Sequence, residues 1–474
     1  MISKEFSVYN LNSFFAGRKM QLSYEKQIET IGNHLLEVNA DLNVLPEMND
    51  TLLQSGVLNT APERAGVFVD NSVTAVASVG TGIIGGIFGF ASNLVSNIPI
   101  VSSITSAVQG GANFLLNGVA NAFGDVAGGV AKLSTFGVVK IIETTGAIRP
   151  LGSAFEHSIN KPLSWLGVKE ISGAPTEGLI LGDHGRLKDI VGYMNSKLGS
   201  DVYSYALNGT TGTISKYKIL DAQSNGAGAG GSSLLIDYDK DGKHSSLDLH
   251  VDTIHTNDSN YAPYLPRGVS PNKVTTDISV IQQFNLASGR PDALKSVVNA
   301  HDNGLYKNNA HLIAGDFNEP SHLDWIDSNK NSYDRNGTKY AWDTSKVLTD
   351  SGYSDSFREV HPDPVKDPGF TWGGPAYMVG NASWAPTADD RDRIDMIYFK
   401  DGKKIDLTPV SSQVIGSDQY FERGKVIKQP STDSYKLSSD PSSSISDHKG
   451  VMTVFHVKVI GDITTVGQPV TEIM

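Results

Sequence analysis

Leu312-Ile313-Ala314-Gly315-Asp316-Phe317-Asn318 is the stretch whose reading decides the fold. Three apolar residues run into a glycine, an acid and an asparagine. An apolar run this short, bounded by glycine, reads as a buried strand. The acid at its end matters because open α/β sheets present their working groups where strands stop. The same arrangement recurs on either side. Leu42-Asn43-Val44-Leu45 is a strand that ends at Pro46-Glu47. Leu247 to Ile254 alternates, with Leu247, Leu249 and Val251 on one face, and His255 closes that face. Asp395 lies in the strand segment Arg393 to Phe399, and Asp447 and His448 come just before a last strand at Val451 to Ile460. Near the start, Phe6, Val8 and Asn10 alternate with Ser7 and Tyr9. A helix follows over about residues 24–39, its apolar positions Ile28, Ile31, Leu35 and Val38 at steps of three and four. Strand, helix, strand predicts an α/β layered domain.

The remaining pattern predicts helices over 184–198, 277–286 and 291–300, and strands at Val202–Tyr205, Thr213–Leu220 and Ser232–Tyr238. Ala222 to Ser233 reads as a flexible turn, and Ser431 to Ser446 as a serine-rich loop. No internal repeat is present. The chain of 474 residues has no cysteine, which excludes disulfides, thiolate metal sites and cysteine nucleophiles. Its formal charge of −12 argues against a basic nucleic-acid-binding surface over the whole molecule, but leaves room for a local groove or a metal ion.

Glu47, Asp316, Asp395, Asp447 and His448 therefore all sit at strand ends. Carboxylates gathered at one spot repel one another and raise each other's pKa. A hard divalent cation relieves that cost, and Mg²⁺ suits one or two carboxylates plus a substrate phosphate. A histidine beside a carboxylate is suited to proton transfer or to holding a phosphate oxygen.

Six pieces in order, Tyr9-Asn10-Leu11, Leu45-Pro46-Glu47, Thr253-Ile254-His255, Gly315-Asp316-Phe317-Asn318, Arg393-Ile394-Asp395 and Ser446-Asp447-His448, make the chain resemble the endonuclease/exonuclease/phosphatase superfamily with its deoxyribonuclease-I-like fold. The resemblance implies a four-layer α/β sandwich, two packed mixed sheets flanked by helices, whose phosphoesterase domain is formed by residues 1–60 and 176–474 around an insertion at 61–175. It implies a metal-dependent phosphoesterase using Mg²⁺ or Mn²⁺. Glu47 would be the main metal ligand, with Asn10 helping to hold the metal or the phosphate and Asp447 as an additional metal or water contact. Asp316 would orient and deprotonate the attacking water, steadied by Asn318, and His448, oriented by Asp395, would bind the phosphoryl oxygen or act as general acid/base. His255 would stand on the leaving-group side. Pro46 replaces the glutamine many members have there, and the glutamate that often pairs with the strand-end histidine has no clear match. His250, on the opposite face, is the competitor of His255 and otherwise reads as a solvated histidine. Phe370 and Trp372 are candidates for stacking on a base or lining a lipid cleft, or are core aromatics; Tyr217 and Lys218 read as structural.

The opening segment resembles secreted nuclease members and Ile254 to Ser259 resembles sphingomyelinase-type members, so nucleic acid and phospholipid both stand as substrates, with a phosphomonoester third. Residues 71–124 carry no charged side chain. Two apolar runs, Val73 to Val95 and Ile98 to Ala120, are long enough to span a bilayer. Gly82 with Gly86, and Gly85 with Gly89, have small-xxx-small spacing. Membrane contact through 71–124 is one reading, with a membrane-inserting toxin or effector as the corresponding alternative for the whole protein; the other is a glycine-rich helical cap buried against the main domain, or a poorly ordered insert. The absence of cysteine favours a secreted or exported protein, though Met1 to Glu5 show no leader. Asp237, Asp239, Asp241 and Asp248 match a calcium-loop pattern, with aspartate in place of the usual last glutamate. Its flanks read as strands, and an Asp-Gly hairpin turn is the alternative.

Overall fold

The computed structural model describes residues 3–13, 22–48, 185–208, 211–226, 228–269, 273–376, 378, 383–429, 434–435 and 444–460. The expectations for 61–175 and 71–124 lie outside them. In chain order the elements are β1 (Ser3–Asn10), α1 (Tyr24–Val38), β2 (Leu42–Leu45), α2 (Gly185–Leu198), β3 (Ser204–Asn208), β4 (Thr211–Ser215), β5 (Ile219–Ser224), β6 (Ser232–Ile236) and β7 (Leu249–His255). There follow α3 (Tyr264–Arg267), α4 (Ile278–Leu286), α5 (Arg290–Asn303), β8 (Ala310–Asp316), α6 (Asp343–Asp350), β9 (Ser354–Asp355) and α7 (Ser356–Val360). The chain then forms β10 (Asp395–Lys400), β11 (Ile405–Ile415), β12 (Gln419–Glu422), β13 (Lys425–Lys428), β14 (Ser434–Tyr435) and β15 (Gly450–Val459).

Two mixed sheets stack. One has the order β14-β11-β15-β1-β2-β4-β3, the other β5-β6-β7-β8-β10-β9. Alternation sorts each strand's side chains. Phe6, Val8, Leu42 and Val44 meet Leu234, Leu249, Val251, Leu312 and Ile397 between the sheets. Tyr9, Leu45 and Ile214 face outward onto Ile31 and Leu35 of α1 and Leu187 and Ile190 of α2. Ile254, Ile313 and Met396 face outward onto Leu294 and Val297 of α5 and Leu348 of α6. This is the four-layer α/β sandwich. No helix among the described residues is long and apolar enough to cross a membrane.

The segment 213–220 is not one strand. It breaks at Lys216-Tyr217-Lys218 because β4 belongs to one sheet and β5 to the other. Tyr217 fills the crossing, buried against Phe6 at 5.5 Å between ring centroids. The turn predicted at 222–233 is shorter, since β5 runs to Ser224 and β6 starts at Ser232.

His250 is not solvated. It points outward from β7 under α5 and is 3% exposed. Its Nδ1 lies 2.7 Å from Nδ1 of His301, and its Nε2 lies 2.7 Å from Ser233 Oγ. His311 stacks over both rings, at 4.3 and 4.0 Å between centroids. One of its nitrogens lies 2.8 Å from Asp252 Oδ2 and the other 2.6 Å from the Tyr353 hydroxyl. Burial holds all three imidazoles below the ordinary histidine pKa, with mutual repulsion adding to it at His250 and His311. A histidine whose folded pKa is depressed takes up its proton more readily when unfolded. Its contribution is complete above the unfolded value near 6.5 and is lost as pH falls below it. Each such histidine should cost about 1.4 kcal/mol per pH unit below that value. Denaturant melts between pH 7 and 5 should show a shallower fall in stability for His301→Leu than for the unaltered chain. Equal slopes would show that the cluster does not bear the acid sensitivity.

Candidate active site

Strand direction gathers the candidate residues. β1 runs parallel to β2, and β7 parallel to β8, so Asn10, His255 and Asp316 end their strands and Glu47 follows the end of β2. β10 is antiparallel to β8, and β15 antiparallel to β1, so the start of β10 and the approach to β15 come to the same end. Asp395 stands directly opposite Asp316 in the ladder. His448 lies between them, its Nδ1 2.8 Å from Asp395 Oδ2 and its Nε2 3.9 Å from Asp316 Oδ2. His255 Nε2 is 3.5 Å from Glu47 Oε1. Glu47 is thus the acid that stands beside His255.

Backbone geometry fixes these groups. Glu47 and Asn318 both have positive φ, 56° and 47°. Asn318 donates its backbone N–H to Asp316 Oδ1 at 2.8 Å and its side-chain amide to the Thr256 carbonyl at 3.0 Å. Gly315 is required where it stands, because a Cβ there would lie 1.9 Å from the carbonyl oxygen of Ile254. The Gly315 carbonyl accepts the amide of Asn10 at 2.9 Å, tying β1 to β8. Thr371 Oγ1 accepts the backbone N–H groups of Ile394 and Asp395 at 3.1 and 3.0 Å, and the Thr371 carbonyl accepts the N–H of Lys449 at 2.6 Å. One residue therefore holds the segments that carry Asp395 and His448.

Asn12 was not among the sequence candidates. It is fully buried, and its amide donates to both Glu47 Oε1 at 3.1 Å and Asp316 Oδ2 at 2.9 Å. Its place two residues beyond Asn10, on the same strand parity, was the available signal. Asp447 turns its carboxylate toward the Trp384 indole N–H at 3.1 Å. It is outside the groups whose ligand atoms converge among the described residues. Phe370 is buried edge-on against Tyr333 and Tyr420, a core position. Trp372 packs on Tyr261 and stands 6.4 Å from His448 between ring centroids.

The electrostatics differ from one carboxylate to the next. Burial pushes Asp316 up to about 6, and the charge of Asp395 adds to this against the pull of His448 and His255. Burial also works on Glu47, but the hydrogen bond and charge of His255, then His448 and Asn12, outweigh it and hold Glu47 below its ordinary value. Burial disfavours a charged His448, yet Asp395, Asp316 and Asp447 overcome it and push the imidazole up to about 10. His255 is raised too, because Glu47 and Asp316 outweigh its burial.

The donor set fits a hard divalent cation. Glu47, His255 and Asp316 place one ligand atom each within 4.8 Å of one another, as do Asp316, Asp395 and His448. Asn10 Oδ1 and Asp395 Oδ1 are buried and make no hydrogen bond among the described residues. Buried oxygens left without donors are costly in a native structure unless an ion or water meets them.

No family model matches the chain. An uncharacterized Caenorhabditis elegans protein is 40% identical over 90 residues, which are 19% of this chain and 27% of that protein. The chain thus matches about a quarter of the length of that curated relative. Among solved structures it is similar to an endonuclease/exonuclease/phosphatase family protein from Leptotrichia buccalis (11% identity, 96% of this chain, 100% of that one, TM-score 0.38). It is also similar to D. rerio TDP2 complexed with single strand DNA product (11% identity, 95% of this chain, 99% of that one, TM-score 0.38). At these scores the superpositions are loose, and the four-layer sandwich is established by the chain's own strand order and core.

An imidazolium held by Asp395 should survive well above neutrality. In ¹⁵N-detected spectra of the imidazole ring, His448 should remain doubly protonated at pH 8 in the unaltered chain. In Asp395→Asn it should titrate at least ~1 unit lower. A His448 that is neutral at pH 7 in the unaltered chain would show that the buried pair does not carry the charge.

Proposed function

We propose that the chain is a divalent-metal-dependent phosphoesterase that hydrolyses a phosphate ester by direct attack of water, with a nucleic-acid phosphodiester as substrate. The observation that carries this reading is the convergence of Glu47, His255, Asp316, Asp395 and His448, drawn from five separate segments, at one end of the two sheets. The six sequence pieces resembling the endonuclease/exonuclease/phosphatase superfamily support it. The −12 charge disfavours tight duplex binding but does not forbid it, since phosphate contacts need only a local positive centre.

Glu47 and Asn10 would hold Mg²⁺ or Mn²⁺, which when bound supplies positive charge to the phosphoryl oxygens. Asp316 takes a proton from the attacking water; its Oδ1 is already fixed by the Asn318 amide, and Oδ2 by Asn12. His448, charged and oriented by Asp395, donates to a phosphoryl oxygen as negative charge builds there. His255, beside Glu47, stands where it can protonate or stabilise the departing oxygen.

A panel of plasmid DNA, RNA, sphingomyelin vesicles and an aryl phosphate, each with Mg²⁺ or Mn²⁺ and with chelator, tests this. Metal-dependent cleavage of nucleic acid is expected. Asp316→Asn should lower the rate ~10²- to 10⁴-fold, the usual worth of a general base. Activity requires ionised Asp316 and protonated His448, so it should rise through about pH 6 and fall toward about pH 10. Cleavage of sphingomyelin alone would move the substrate to phospholipid, and no cleavage of any ester with either metal would refute the enzyme.

A further inference from the structure

A second cluster of ligand groups lies at the far end of β7 from the active site, and it goes beyond the phosphoesterase reading without depending on it. The turn between β6 and β7 runs Asp237-Tyr238-Asp239-Lys240-Asp241-Gly242-Lys243-His244-Ser245-Ser246-Leu247-Asp248. Carboxylates fall at positions one, three, five and twelve of this twelve-residue loop, a serine at nine and a glycine at six. That is the ligand spacing of a calcium loop. We propose that this loop binds one Ca²⁺ as a structural ion, through Asp237, Asp239, Asp241 and Asp248.

The fold brings the sequence pattern together in space. Asp237, Asp239 and Asp248 place one carboxylate oxygen each within 4.8 Å of one another. Gly242 takes φ 73° at the sixth position, where the loop must turn back. Its N–H points at the Asp237 carboxylate, 3.2 Å from Oδ2.

Spacing and turn geometry also describe an ordinary Asp-Gly hairpin, so the decisive observation is a different one. Asp248 is fully buried, and its carboxylate meets backbone N–H groups only, that of Ser245 on Oδ2 at 2.7 Å and, more weakly, that of Tyr238. Its Oδ1 is buried with no hydrogen bond of normal geometry among the described residues. A hairpin turn does not need a buried acid, one oxygen of which lacks a full hydrogen bond, beside two more acids. Such an arrangement costs stability unless a cation meets it. Among the described residues no lysine or arginine forms an ion pair with any of the four carboxylates; Lys240, inside the loop, places its ammonium over the Tyr217 ring at 4.8 Å. All the side-chain donors of the set are oxygen, which selects a hard ion. The loop is rich in carboxylates, and Ca²⁺ accepts an irregular oxygen cage where Mg²⁺ demands a strict octahedron.

β7 spans seven residues, so the loop is separated from His255 by about 20 Å of strand. The ion would therefore act on the scaffold, by closing the hairpin whose second strand carries His255.

The test is calcium binding by the full chain, read by titration calorimetry and by Tb³⁺ luminescence sensitised through Tyr238. Because the active site also holds carboxylates, Glu47→Gln is the background. In that variant one Ca²⁺ should bind and raise the melting temperature. In Asp239→Asn and Asp241→Asn, both at exposed positions, affinity should fall roughly ten-fold or more, the least that loss of even an outer-shell partner costs. Metal-dependent hydrolysis by Asp239→Asn and Asp241→Asn, each made with Glu47 intact, should be unchanged when measured with Mg²⁺, so a failure here and a failure of the enzyme reading are told apart. Binding that disappears in Glu47→Gln and persists in Asp239→Asn would assign the ion to the active site and overturn the proposal. So would no Ca²⁺ or Tb³⁺ binding at millimolar concentration.

Discussion

Two buried carboxylates facing each other across an antiparallel ladder set the terms for the rest of the molecule. Asp316 and Asp395 are opposite partners of β8 and β10, each almost fully removed from water. Like charges placed so, in a medium far less polarisable than water, repel strongly. The chain answers with groups from the other sheet. His448 comes from the approach to β15 and meets Asp395, and Asn12 comes from the end of β1 and meets Asp316. The charge problem of one sheet is thus solved by the second. The polar contacts fasten the two sheets at the end where no apolar core could do so, and the same contacts set the relative position of the groups that the proposed chemistry uses.

Behind that seam lies a second layer of buried charge. Arg393, two residues before Asp395, donates to Asp324 and to Asp355, with distances of 2.7 to 3.1 Å. Arg358 also reaches Asp324, at 2.8 Å, and adds the carbonyls of Asp367 and Pro368. Burial alone would raise Asp324, but the two guanidinium groups hold it below the ordinary carboxylate range. A pair of this kind adds little net stability against an apolar replacement, yet breaking it costs about 3–5 kcal/mol. What it contributes is direction. The entry to β10 is fixed by Arg393 on one side and by Thr371 on the other, and Asp395 has little freedom to drift from His448.

The strand ends were legible because burial on both faces of a sheet writes short apolar runs that stop abruptly. Leu312-Ile313-Ala314 and Leu42 to Leu45 are such runs, and Asp316 and Glu47 followed from them. Periodicity could not tell a solvated outer face from one covered by a helix, which is why His250 was misread. Its environment is made by α5, some fifty residues later in the chain. The long strand β11 was not foreseen. Pro409 interrupts its alternation, and the structure absorbs that proline with a register shift between Pro409 and Ser411. Asn12 was missed for another reason. An uncharged amide gives no signal in sequence beyond its parity with Asn10, and its importance comes from two acids, one of them 304 residues away.

The site also explains why acids that look equivalent in sequence need not do equivalent work. Glu47 lies between a histidine and an amide, and its negative form is favoured. Asp316, buried and opposite another acid, has a negative form that is disfavoured to the point of titrating near 6. Environments that drive two carboxylates apart in this way separate the group that stays anionic to hold a cation from the group that can accept a proton near neutral pH. The division does not depend on residue type. It follows from the neighbours that strand direction supplies, with His255 beside Glu47 and Asp395 across from Asp316. Exchanging those neighbours, rather than the acids, is what would exchange the roles.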